Sequence, residues 1–129
     1  MPKTQKLVST PLSVKMPSRR IREQFLVMYE LEGCQKATNF LAKYYKVGKM
    51  RIFVNDKKFK TRRKNCCAYY CENEAYFKKT GLKRRIVLHE FYHHLVKNAK
   101  KELPRKKEER EARTYAGEFL RLKQVSRVN

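Results

Sequence analysis

"VLHEFYHHLV", residues 87–96, holds the chain's three histidines, and two of them, His89 and His93, flank Glu90 in the pattern His-Glu-x-x-His. The apolar spacing around it predicts a helix from about Lys83 to Lys97, entered after Gly81. On such a helix, residues four apart lie one turn above each other, about 6 Å along the axis, so the two imidazoles can face one point. Glu90 lies about 100° from His89 and about 60° from His93 around the axis. Ile86, His89, His93 and Val96 share one stripe, which fits burial. Two imidazoles and a carboxylate buried together are costly unless something binds them.

Outward from this helix, the chain reads as α+β. Residues 1–17, with three prolines and no periodicity, are expected to form a flexible basic tail, and residues 18–129 a single domain. Ser18 is a candidate N-cap for a helix carrying Ile21, Phe25, Met28 and Leu31, which Gly33 interrupts. "CQKATNFLAKYYKV" places Ala37, Phe40, Leu41 and Tyr44 on one face of a second helix that Gly48 is expected to end. A helix, a glycine and a helix invite a DNA-reading reading, but the second helix lacks an exposed stripe of Arg, Asn or Gln to read bases. "MRIFVN" (50–55), "CCAYYC" (66–71) and "EAYFKK" (74–79) have the alternation of strands, the last two joined by a turn at Glu72-Asn73. They predict a small antiparallel or mixed sheet. Pro104 stands where a last helix begins, running to about Lys123.

Thirty-three Lys+Arg against twelve Asp+Glu give a net charge of +21, which attracts polyanions, nucleic acid first among them. The cations cluster: six in residues 57–64, five in 78–85 and six in 97–107. These segments can hold phosphates, but they contain no base-reading code. No apolar run reaches the roughly 18–20 residues of a membrane span. The amino terminus lacks the apolar block of a secretory signal, so a cytoplasmic, intracellular site is expected. Cys34, Cys66, Cys67 and Cys71 contain no Cys-x-x-Cys, and buried reduced thiols are a better reading than a structural zinc site.

The paired histidines are what a hydrolytic zinc centre needs. Two neutral imidazoles hold the ion, and Glu90 serves as general base toward the attacking water. A third protein ligand is required. His94 is not spaced to join His89 and is expected at the surface or behind the ligands. The cysteines lie upstream only, so a carboxylate of "KKEEREARTYAGEFLRL" is the candidate. The stripe Ala112, Tyr115, Ala116 and Phe119 puts Glu108 and Glu109 on its own side one turn earlier and turns Glu111 and Glu118 away. Periodicity leaves both Glu108 and Glu109 open, with Glu108 nearer the centre of the stripe.

"HEFYH" followed by "EREARTYAGEFL" resembles the Glu-zincin metallopeptidases, nearest to the ImmA/IrrE-type peptidases and minimal gluzincin domains. The resemblance covers roughly residues 37–123, and only its metal motif is specific. It implies a zincin-like fold with one zinc ion per chain held by His89, His93 and Glu109, Glu108 being the alternate, and with Glu90 as base. It also implies a mixed sheet whose edge strand lines the cleft and pairs with an extended peptide substrate. Where many members carry Asn or Asp to orient a ligand histidine, this chain has Arg113, so that contact is absent or comes from elsewhere. The SprT/Spartan-like peptidases share the first motif but use a third histidine that this chain does not offer. The expectation is therefore a small intracellular zinc metallopeptidase, held near nucleic acid by its basic surface and cleaving a bound protein. The competing expectation is a basic nucleic-acid-binding protein whose metal site is structural or non-catalytic.

Overall fold

The computed structural model describes residues 12–54 and 67–122. Helices α1 (Arg19–Glu32) and α2 (Cys34–Tyr45) are followed by strands β1 (Arg51–Val54), β2 (Ala68–Cys71) and β3 (Glu74–Phe77). A short 3-10 turn at Lys79–Gly81 then leads to helices α3 (Arg84–Asn98) and α4 (Arg105–Phe119). The class is α+β, as expected.

Local chemistry sets most boundaries. The Ser18 hydroxyl accepts the Ile21 N–H and caps α1. Gly33, at φ 95°, ends α1 and starts α2 in a conformation that side chains rarely adopt. Gly48 does not end α2. The helix stops at Tyr45, where Lys46 takes the left-handed conformation and Val47 N–H returns to the Ala42 carbonyl at 2.9 Å. That arrangement brings Val47 onto the core and offsets the strain at Lys46. Glu72 and Asn73, with φ 47° and 67°, make the tight turn that joins β2 to β3.

The sheet is mixed, in the order β1-β3-β2, with β1 parallel and β2 antiparallel to β3. Of the two arrangements expected, the mixed one is found: β1 pairs with β3 rather than with its sequence neighbour, and β2 lies at an edge. Alternation divides the faces. Ile52, Ala75, Phe77, Ala68 and Tyr70 turn toward the helices, while Phe53, Tyr76 and Tyr69 turn away.

The core is built from Phe25, Leu41, Met50, Phe77, Leu88, Phe91, Leu95 and Phe119. Helix α3 runs through its middle, with Val87, Leu88, Phe91, Tyr92, His94, Leu95 and Val96 all buried. Such a helix is wetted along one narrow line only, and His89 and His93 lie on that line, their side chains 20% and 13% exposed.

Residues 12–17, read from sequence as part of the tail, belong to the folded body. Leu12, Val14 and Met16 pack on the core. Ser13 donates its N–H and its hydroxyl to the Glu111 carboxylate, at 3.0 and 3.1 Å. Glu111, expected to point away, is buried, because a third donor, the Tyr92 hydroxyl, reaches it at 2.6 Å. Burial pushes the Glu111 carboxyl up, but these donors and Lys107 outweigh it and hold the group below the usual carboxylate range.

Candidate metal centre

Helices α3 and α4 pack side by side, and the residues that face each other across their junction form a cluster of nitrogen and oxygen donors. His89 Nε2 stands 3.0 Å from Glu109 Oε1, and His93 Nε2 stands 3.1 Å from Glu109 Oε2. One carboxylate thus spans both imidazoles. His89, His93 and Glu109 each offer an atom within 4.8 Å of the others, a group that could hold a metal ion. Tetrahedral zinc at ligand distances of roughly 2.0–2.1 Å needs donor spacings of roughly 3.3 Å, and the two histidine-to-Glu109 spacings lie close to that.

Glu108 takes a different place. Its Oε2 lies 2.6 Å from His93 Nδ1, the nitrogen that faces away from the shared point. The two carboxylates are therefore divided between the two nitrogens of one ring: Glu109 at Nε2 and Glu108 at Nδ1. A carboxylate on the far nitrogen fixes the ring's tautomer and plane and raises its basicity. The orienting contact that Arg113 could not provide comes from Glu108, one residue before the ligand candidate. Arg113 itself lines a side pocket of about 260 Å³ together with Arg85 and Ile86.

Glu90 sits beside this group and is only 7% exposed. Burial pushes its carboxyl up to about 7; His93 opposes the shift and Glu109 adds to it. Burial, and then His93, hold the His89 imidazole below its ordinary value, so the neutral form that binds metal is favoured. His89 and His93 are thus half-buried and paired with carboxylates.

His94 fills the core role instead. It is fully buried rather than exposed, with Nε2 2.7 Å from the Gly48 carbonyl and Nδ1 2.8 Å from the Tyr70 hydroxyl. A carbonyl can only accept, so the proton resides on Nε2 and Tyr70 donates to Nδ1. Burial lowers the pKa of this ring and keeps it neutral. Through it, the metal-side helix holds edge strand β2 in position.

Strand β2 forms one wall of a cleft of about 840 Å³ with His89, Glu90 and His93 along the other. Four of the chain's twelve acidic residues, Glu72, Glu90, Glu108 and Glu109, line this one cleft. In a chain of net charge +21 that concentration sets the cleft apart from the surface around it. Lys97, Lys101 and Arg105, from the 97–107 run, stand at its rim. Lys78, Lys79 and Lys83–Arg85 of the second run lie at the end of β3, in the 3-10 turn and at the start of α3. The 57–64 run and Cys66 lie outside the described residues. Cys34, Cys67 and Cys71 are free thiols and, among the described residues, join no metal-binding group. No helix of the described residues is long and apolar enough to cross a membrane.

Of the residues singled out in the sequence, the structure brings His89, His93 and Glu109 together, with Glu90 and Glu108 beside them; the parts played by Glu111, Tyr92 and Tyr70 are not read there. A comparison of the chain with protein-family models, with characterised proteins and with solved structures gives no match, so the reading of the site rests on its own geometry.

Proposed function

We propose that the chain is a zinc-dependent peptidase, with His89, His93 and Glu109 as ligands and Glu90 as general base. The observation that carries this reading is the Glu109 carboxylate spanning both Nε2 atoms at the wall of a cleft whose opposite wall is an edge strand. When bound, the ion would polarise the scissile carbonyl and make the attacking water more acidic. Glu90, held near neutral by burial, is matched to take a proton from that water and to return it to the leaving amine. The backbone of β2 is available to pair with an extended peptide and set it across the histidines. Glu108 keeps His93 in its ligand orientation throughout.

The same reading places the protein inside the cell, near nucleic acid, where the +21 charge would hold it close to protein substrates bound there. Phosphates are unsuited to the cleft itself, given its four carboxylates. The test is metal content together with cleavage. The wild-type chain is expected to take up one equivalent of zinc and cut an unstructured protein or a mixed peptide library. Glu90→Gln should keep the zinc and abolish cutting, and His93→Ala should lose the zinc. A chain that takes up no zinc, or a Glu90→Gln variant that cuts as well as wild type, would remove the proposal.

A further inference from the structure

The sheet face that turns away from the helices carries one aromatic residue from each strand at a single level. The register pairs Phe53 with Tyr76 and Tyr69 with Tyr76, so the three rings form a row across β1, β3 and β2. They are stacked on one another. Phe53 and Tyr76 have centroids 5.3 Å apart with planes 19° from parallel, and Tyr76 and Tyr69 have centroids 5.0 Å apart with planes 17° from parallel. At those separations and tilts the rings are stacked with an offset. All three are only partly buried.

Cations flank the row along the strands. Arg51, two residues before Phe53 on the same face, lies 5.5 Å from that ring's centroid and 2.9 Å from the Glu74 carboxylate across on β3, with 65% of its side chain exposed. Lys78 follows Tyr76 by two residues, and its N–H bonds to the Cys67 carbonyl, which carries the alternation of β3 one step further. Soluble sheets usually cover an outer face with small or charged side chains, and a lone cross-strand pair is common. Three stacked rings with the Arg51–Glu74 pair on one side of the row and Lys78 on the other, on a chain of net charge +21, match a different need. Unpaired bases stack on aromatic rings while the phosphates between them meet cations.

We propose that this sheet face, Phe53, Tyr76 and Tyr69 with Arg51 and Lys78, binds single-stranded nucleic acid by base stacking. It adjoins the metal cleft at Tyr69, which lines both, while Phe53, Tyr76, Arg51 and Lys78 lie outside that cleft. The residues that face the metal group lie on α3 and α4, behind the opposite side of the sheet. The site reads stacking, which every base offers, so broad sequence tolerance is expected.

The test is the binding of fluorescently labelled oligonucleotides to the full chain at several salt concentrations. Four probes are used: a thymidine DNA 15-mer, a uridine RNA 15-mer, a 15-mer DNA duplex, and an abasic strand of the same length. With the wild-type chain, both base-bearing single strands should bind about tenfold or more tightly than the abasic strand. A further tenfold preference between the first two would identify DNA or RNA as the natural ligand. The double variant Phe53→Leu with Tyr76→Leu keeps the apolar bulk and the charge. It should bring base-bearing strands down to the abasic affinity without changing the salt slope, whereas Arg51→Gln with Lys78→Gln should reduce that slope. Tyr76→Phe, which keeps the ring, should bind as wild type. Equal binding of the abasic and base-bearing strands, or of the duplex and the single strand, overturns the proposal, and this comparison needs no variant to fold. An affinity unchanged in a folded Phe53→Leu/Tyr76→Leu variant overturns it as well.

Discussion

The division of labour between Glu108 and Glu109 can be measured. Glu108 accepts from His93 Nδ1 at 2.6 Å with a side chain 25% exposed, while Glu109 faces both Nε2 atoms and its side chain is 39% exposed. If Glu108 orients a ligand, its removal should weaken zinc by about 10–100-fold, or about 1.4–2.7 kcal/mol, and leave the stoichiometry at one. Glu108→Gln keeps an acceptor of the same shape without the charge and should fall near the lower end. Glu108→Ala leaves Nδ1–H to water and should fall near the upper end. Glu109→Gln removes an anionic donor from the ion and should cost far more, with loss of stoichiometric binding after dialysis. The assay is competition with a chromophoric zinc chelator at fixed pH, with far-UV circular dichroism to confirm that each variant is folded. The opposite order, Glu108→Gln losing the ion while Glu109→Gln keeps it, would refute the assignment and make Glu108 the third ligand. Affinities within twofold of wild type for Glu108→Ala would show that the contact orients nothing.

Glu111→Ala should destabilise the chain by about 2–4 kcal/mol in urea unfolding, because Tyr92 and Ser13 lose a charged acceptor. Since Glu111 is held below its ordinary value, its contribution is complete above a pH of about 4.3 and is lost as pH falls through the lower folded value. The acid limb of the stability profile should therefore flatten in Glu111→Gln, and an unchanged limb would contradict a stabilising role for the Ser13 and Tyr92 bonds to Glu111. Glu90 has the opposite sign: raised to about 7, it favours the protonated folded state, so the metal-free chain should lose stability as pH rises from about 4.3 to about 7. Glu90→Gln should remove that fall, and equal profiles for the two proteins would show that Glu90 is not buried as described.

What could be read in advance follows the range of the interaction. Ser18, Gly33 and the Glu72-Asn73 turn act within three or four residues, and each stands where the local pattern puts it. The approach of His89 to His93 is likewise fixed by one helical turn. Glu108 and Glu109 both lie on the expected side of α4, but only packing against α3 decides which His93 nitrogen each one meets. His94 and Glu111 were misplaced because their partners are far away in sequence, at Gly48, Tyr70 and Ser13. A signal existed for each. His94 lies three residues after Phe91 and seven after Val87, on the apolar side of α3, and Glu111 lies four before the buried Tyr115. A polar residue on such a line asks for a partner rather than for solvent. Alternation leaves the antiparallel and mixed arrangements both open, since it shows which residues share a face and not which strand lies beside them.

Helix α4 carries two carboxylates with opposite duties only two positions apart. Glu109 looks into the cleft, while Glu111 looks back at Ser13. Under the proposed zinc assignment, a rigid helix makes these two contacts parts of one equilibrium, so an ion held between α3 and α4 would help seat residues 12–17, and by reciprocity the docked segment would tighten the ion. A cut within residues 12–17 would then loosen the proposed metal without touching any residue that would hold it.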